Sequence, residues 1–379
     1  MVTLDFAPFH GSELAMYGEL LAEGLSDAGN QVTVISSLRE GTSPQEEMGS
    51  IQVLRVPIGA TDWIGFGYRA SQLLRRIGAR APFDIVHFLD LPLAHAYPEP
   101  YLASLFRSFR QRATNDRRLL YRTGRLNRLG RHLYHNLLGP HLERRALSRA
   151  RYLLALSAAS KEEFTRHYGL KEERVEAVHL GIDTNLFRSR PAEELRRSLG
   201  IEEGERVILH VGFATPSKGL EYLARALWRV EGDFRLMVIG RWERGYREKI
   251  WSEMAPWRDK AIEIGYVHYE EMPYCYSLAD VLVLPWLSED FGFPLMEAMA
   301  CGTPVVATQV GSIPEVVGDC GLLVPPRDPL ALAQAINRIL HDETLPLDLT
   351  SAGRRRAEEH FSKARMTQKT LEVYHRMKA

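Results

Sequence analysis

The 379-residue chain is poor in cysteine: Cys275, Cys301 and Cys320 stand apart with no paired spacing. That pattern argues against a disulfide framework or a zinc site, and for a reducing compartment. Net charge is missing too. Lys plus Arg and Asp plus Glu each number 48, so overall charge gives no pull toward nucleic acid. No apolar run approaches the roughly 20 residues that span a bilayer. The opening Met1-Val2-Thr3-Leu4-Asp5 has no basic region ahead of a hydrophobic stretch, so no signal peptide is expected. Low-complexity tracts and short-period repeats are absent. These absences lead to the expectation of a soluble cytoplasmic protein, too long for one ordinary core and suited to two domains.

What the chain does have is alternation. Short β-branched or leucine-rich runs are expected as strands at 2–6, 31–36, 51–56, 84–88, 101–105, 152–157 and 175–179 in the first half. The second half repeats the theme at 207–211, 235–239, 262–265, 281–284, 304–307 and 322–324. A helix is expected over 12–28, with Leu14, Tyr17, Leu21 and Leu25 on one face and Gly29 ending it. Ser312 and Glu315 have capping-box spacing, and Asp328-Pro329 opens another helix. Strands alternating with helices predict parallel sheets covered on both faces. The expectation is two doubly wound domains, 1–184 and 185–358, with a terminal helix at 359–379. Open parallel sheets bind ligands at strand carboxyl ends, so the active site is expected in a cleft between the two.

The most informative stretch is Glu289-Asp290-Phe291-Gly292-Phe293-Pro294-Leu295-Met296-Glu297. It follows the apolar run 281–285 and leads into a helix, with Pro294 suited to the first turn. Exposed amides at a helix start attract phosphate, and a neighbouring carboxylate can bind sugar hydroxyls. Such a turn suits a diphosphate with a ribose on one side and a sugar on the other. Upstream, Gly212 ends a strand, and Lys218-Gly219 opens the next helix. A glycine there lets the backbone approach, and the lysine supplies a point charge for a diphosphate. Taken alone, that second pattern reads better as a tight turn with a solvated lysine; its weight comes from standing in the same half as the two-glutamate turn.

The order of these motifs resembles the retaining glycosyltransferases of family 4, with the GT-B fold. Glu289 and Glu297 match the family's E-x7-E signature. Gly265-Tyr266-Val267-His268 and the stretch 278–285 resemble the segments before it. Gly302-Thr303-Pro304, Gly311-Ser312-Ile313-Pro314-Glu315 and the stretch 321–325 resemble those after it. Leu180-Gly181-Ile182-Asp183 with Phe187 is similar to the family's domain-crossing turn; Pro8, Gly11 and Glu13 are similar to its first loop. Phe361-Ser362 and Tyr374 are similar to its C-terminal helix, which returns to the first domain. The resemblance implies an α/β chain of two Rossmann-like domains that moves a sugar from a nucleotide-sugar donor to an acceptor hydroxyl, with retained configuration and no metal. The donor, UDP- or GDP-linked, is a substrate, and no cofactor is implied. Glu297 would hold the ribose hydroxyls and Glu289 would face the donor sugar. The amides of Phe291, Gly292 and Phe293, with Leu295, would line the donor site. Lys218 would neutralise the leaving diphosphate, and Val267 would meet the base through its backbone. Gly11 falls on the acceptor side.

The sequence departs from the family in two places. Phe213 stands after Gly212, where an arginine is common, so Lys218 carries the diphosphate unless Arg241 or another residue compensates. Phe106 aligns with a histidine that usually faces the donor sugar. His87, placed in the catalytic set with Glu289 and Lys218, is one substitute; His95, on the acceptor side, is the other. His87 reads equally as a packed structural histidine. The missing histidine motivates a rival, a non-catalytic relative that binds a sugar nucleotide as partner or sensor. Finally, residues 107–131 hold nine arginines against Asp116, followed by Leu133 and Tyr134. A solvated loop is one reading. A helix at 107–134 lying on anionic lipid at the inner face of the membrane, or meeting a lipid-linked or anionic acceptor, is the other. Nucleic acid is not expected, since no nucleic-acid motif accompanies the charge.

Overall fold

The computed structural model describes residues 1–8, 13–58, 63–105, 139–288 and 291–378. Internal contacts divide the chain into two units, 1–181 with 363–379, and 182–362. The crossings therefore fall at 181/182 and 362/363, against the 184/185 and 358/359 read from sequence.

The first unit opens with α1 (Glu13–Asp27), whose Tyr17, Leu21 and Leu25 are buried one turn apart. Leu14 is only half-buried. Gly29 at φ +82° ends the helix, and the Asn30 amide and side chain both donate to Leu25 O. The strands follow as β1 (Val32–Leu38), β2 (Gln45–Met48), β3 (Ile51–Pro57), β4 (His87–Phe88), β5 (Tyr101–Leu105), β6 (Ala150–Ala155) and β7 (Val175–Ala177). Helices α2 (Trp63–Gly78), α3 (Gly139–Arg149) and α4 (Ala158–Tyr168) lie between them in the chain. The sheet is ordered β2-β3-β1 and β4-β5-β6-β7, and the first residues join the two parts. Val2 N donates to His87 O at 2.8 Å and Thr3 N to Ile35 O at 3.1 Å. Residues 1–4 thus fill the position between β1 and β4, parallel to both. The strand expected at 2–6 ends in a bend at Leu4, and Thr3 Oγ1 donates to Asp5 O beside it. Strand β2 was not expected. It is polar, half-exposed and antiparallel to β3 through a turn at Gly49, φ +60°.

The second unit holds β8 (Arg206–Val211), β9 (Phe234–Ile239), β10 (Ala261–Ile264), β11 (Val281–Leu284), β12 (Val305–Thr308) and β13 (Leu322–Val324). All pair in parallel in the order β10-β9-β8-β11-β12-β13, the doubly wound arrangement. Its helices are α5 (Glu193–Ser198), α6 (Leu220–Ala226), α7 (Tyr246–Glu253), α8 (Met272–Leu278), α9 (Phe293–Cys301), α10 (Ile313–Val317), α11 (Pro329–His341) and α12 (Leu345–His360). Helices α6, α7 and α11 pack together over Ile208, Val281, Val283 and Val306, while α8, α9 and α12 form a second layer. Asp328 caps α11, its Oδ1 accepting from the Leu330 and Ala331 amides at 3.0 Å. Ser312 does not cap α10. Its backbone is already helical, at φ −86° and ψ −1°, so the hydroxyl lacks the extended geometry that a cap requires.

The last helix, α13 (Lys363–Lys378), packs on α1. Lys363 Nζ lies 3.1 Å from Glu23 and 3.5 Å from Asp27. A Cβ on Gly24 would stand 2.0 Å from Thr367 Oγ1, so that contact needs glycine. Gly24→Val is expected to destabilise the first unit by about 2 kcal/mol, the usual scale of overpacking. Urea denaturation followed by circular dichroism measures it, and unchanged stability would contradict the packing of α13 on α1.

Candidate active site

In the second sheet β8 and β11 lie side by side, but their chains leave in different directions. The segment after β8 enters α6 in one helical layer, and the segment after β11 enters α9 in the other. A parallel sheet presents a crevice for ligands at such a point. Backbone packs against backbone here. Gly212 and Gly240, both near φ +136°, follow β8 and β9, and a Cβ on Gly240 would stand 2.1 Å from Gly212 O. Gly219, at φ +65°, leaves the same small gap, 2.0 Å, to Pro285 O. Leu287 N donates to Ser217 O at 2.8 Å and ties the two segments together.

Lys218 ends the turn Pro216–Lys218, and its Nζ stands 3.6 Å from the centroid of the Trp286 ring. A cation over a desolvated indole gains up to about 2 kcal/mol. Trp286 is 1% exposed, and its carbonyl accepts from Thr308 Oγ1 of β12. Its Nε1 has no hydrogen-bond partner among the described residues. Beyond the ring lies Gly292 at φ +86°, where a Cβ would come within 3.3 Å of Trp286, 3.2 Å of Leu295 and 3.0 Å of Ile313. Phe291, Phe293 and Leu295 are all buried, and Phe291 meets Phe361 edge to face. Pro294 falls in the first turn of α9, as its sequence position suggests.

Glu297 lies one turn into α9 and is 5% exposed. Tyr276 on α8 donates to its Oε2 at 2.6 Å. Burial, then the Glu297 charge, hold the Tyr276 hydroxyl well above its ordinary pKa, so it stays a donor. The same causes push the Cys301 thiol up to about 12. Val267, half-buried, follows β10 at the same carboxyl edge of the sheet, between exposed Tyr266 and His268. Phe213 is 53% exposed at that edge, and Arg241 is exposed just beyond Gly240.

The two histidines offered as substitutes are packed inside the first unit. His87 is 1% exposed, with Nδ1 2.9 Å from Tyr374 Oη and Nε2 2.8 Å from Ser104 Oγ, which in turn meets Tyr17 Oη at 2.9 Å. Burial lowers its pKa well below the usual histidine value, so it is neutral. With both nitrogens engaged and no access from solvent, His87 belongs to a buried chain joining α13, β4, β5 and α1; this corrects its placing in the catalytic set. His95 is 8% exposed and donates from Nδ1 to Pro92 O at 2.9 Å. Burial lowers its pKa as well. Its ring packs on Gly67 of α2, where a Cβ would come within 2.8 Å. Gly11, Phe106, Glu289 and the arginine-rich 107–131 lie outside the described residues.

Sequence reading missed Trp286, Tyr276 and His210. Tyr276 and Glu297 sit on different helices, and no local spacing links them. His210 lies in β8, fully buried, with Nδ1 donating to Val283 O at 3.0 Å. That bond leaves its Nε2 as an acceptor, without a partner among the described residues. Burial lowers its pKa from 6.5 to about 4, with the Lys218 charge adding to the effect.

Comparison with known proteins agrees with this geometry. A profile described as "Glycosyltransferase Family 4" matches residues 15–186, and one described as "Glycosyl transferases group 1" matches 191–356. The chain belongs to the family-4 glycosyltransferases and is an enzyme of that class, with two Rossmann-like units of the GT-B type. It is 27% identical to an uncharacterized glycosyltransferase of Methanocaldococcus jannaschii, over 99% of this chain and 97% of that one. Several further curated relatives, mannosyltransferases and inositol-phosphate glycosyltransferases among them, align over little more than half of their own length. Among solved structures, sucrose-phosphate synthase from Thermosynechococcus elongatus superposes with a TM-score of 0.78 at 22% identity, covering 99% of this chain and 98% of that one. Anabaena HepE in complex with UDP-glucose superposes at 0.75 with 18% identity, covering 99% and 100%. No described helix is long and apolar enough to cross a membrane.

Removing the Tyr276 hydroxyl should leave the buried Glu297 carboxylate short of a donor. Tyr276→Phe is expected to cost about 2 kcal/mol in urea denaturation; no loss would mean that the bond carries nothing. His210 titrates with the opposite sign to a histidine that gains an anionic partner. The folded protein binds fewer protons than the unfolded chain between about 4 and 6.5, so this stability is full above 6.5 and is lost as pH falls toward 4. Between about pH 7.5 and about pH 5, wild type should lose about 2 kcal/mol more than His210→Asn in urea unfolding.

Proposed function

We propose that the chain transfers a hexose from a UDP-linked sugar to an acceptor hydroxyl, with anomeric retention and without a catalytic metal. One observation carries this reading. Lys218, the Phe291-Gly292-Phe293 turn and Glu297 lie on the two segments that leave β8 and β11, at the switch point of a doubly wound sheet. HepE, of the same fold, is solved with UDP-glucose, which favours UDP over GDP as the leaving group.

In this reading the departing diphosphate gathers charge beside Lys218 and the N-terminus of α9. A fixed ammonium and aligned amides stabilise that charge more in the transition state than in the ground state. Glu297, its plane fixed by Tyr276, accepts from the ribose hydroxyls. Glu289 keeps the donor-sugar role that the family resemblance implies for it, and Val267 meets the base through its backbone. His210 stays neutral, so the centre of the sheet adds no second cation beneath Lys218.

Glu297→Ala is expected to weaken UDP binding by about 10-fold or more, and Lys218→Ala to lower kcat by about 100-fold with a smaller effect on KM. Calorimetric titration with UDP and GDP, and steady-state turnover of UDP-hexoses with and without chelator, measure these. NMR of the product's anomeric carbon reads retention. Unchanged UDP affinity in Glu297→Ala would remove the ribose assignment, and UDP binding without transfer or hydrolysis would favour a non-catalytic relative.

A further inference from the structure

Lys218 and the Gly292 turn come from different loops, and the Trp286 side chain stands against both. The Trp286 ring carries the Lys218 ammonium on its face, 3.6 Å from the centroid. Its Cζ3 edge lies where any side chain on Gly292 would have to go, 3.3 Å from that Cβ position. The ring itself cannot drift. It is 1% exposed, Thr308 Oγ1 holds its carbonyl, and the residues on either side are tied to the turn after β8 through Gly219 against Pro285 O and Leu287 N to Ser217 O. A lysine side chain has four rotatable bonds and much freedom to lose. A ring under its ammonium narrows that freedom before any donor arrives. Phe213 supplies no charge after Gly212, so the placing of Lys218 matters more in this chain.

We infer that Trp286 is a positioning residue for donor cleavage. It holds the Lys218 ammonium at a fixed distance from the Phe291–Phe293 turn, so that both meet the leaving diphosphate together. The inference rests on the transferase reading of this site. Trp286 touches no reacting atom; it acts through Lys218. Its removal should therefore change kcat and leave donor KM nearly alone, and an aromatic replacement should restore much of what an aliphatic one loses.

The test uses the full chain with UDP-hexose turnover and UDP titration. Trp286→Leu should lower kcat by about 30-fold with donor KM within about three-fold, and Trp286→Phe by only about three-fold. In a double-mutant cycle, Lys218→Met should cost less in the Trp286→Phe background than in wild type, by about three-fold. Wild-type kcat in Trp286→Leu, or the same cost of Lys218→Met in both backgrounds, would overturn the inference. Should Trp286→Leu fail to fold, the cycle on Trp286→Phe decides alone. If wild type binds UDP but turns over no donor, the transferase reading falls and this inference with it, whereas wild-type turnover with Trp286 and Lys218 uncoupled overturns the inference alone.

Discussion

The loops that leave the second sheet depend on three glycines, each set where a Cβ would crowd its neighbours. Gly240 lies against Gly212 O, Gly219 against Pro285 O, and Gly292 against Trp286. All three have positive φ, where glycine is the residue without penalty. Adjacent parallel strands stand about 4.8 Å apart. A side chain at any of these points would push apart the loops that leave the sheet. The glycines let the turn after β8 rest on the segment after β11, and that contact sets where Lys218 and the head of α9 lie.

The electrostatics of this unit follow from burial. Glu297 is a carboxylate beneath the surface, and a tyrosine hydroxyl meets it. An unmet charge at that depth would cost several kcal/mol, so its partner is part of the site. Tyr276 is itself held by Thr303, which donates to its carbonyl, and by the Phe187 ring beside it. Cys275 and Cys301 are buried free thiols pushed up to about 11 and about 12, so they stay protonated and act as packing groups.

Elements with strong apolar runs were legible in the sequence. Strands β5, β11 and β13 have the expected bounds, because each is a short, largely apolar run. Strand β2 was not, because Gln45-Glu46-Glu47-Met48 has no apolar face, and only the partner strand makes it extended. The capping box at Ser312 failed because backbone angle, which a motif does not encode, decides whether a hydroxyl can cap. In the site, glycines and the lysine were readable since their chemistry is local. Trp286 and Tyr276 were not, since each works on a residue that another loop or helix delivers. The histidine substitutes failed for a related reason: β4 looked like a strand end open to a ligand, but Tyr374, far away in sequence, closes over His87.

The return of α13 constrains any attempt to take the enzyme apart. Cutting once, after residue 181, would give a leading fragment without the helix that covers Gly24 and supplies Tyr374 to His87. The trailing fragment would carry that helix with its apolar side bare. A dissected first half must therefore be built as a fusion of 1–181 with 363–378, whereas 182–362 is a continuous excision. The chain is in this sense an insertion: one Rossmann-like body interrupts another just before its last helix.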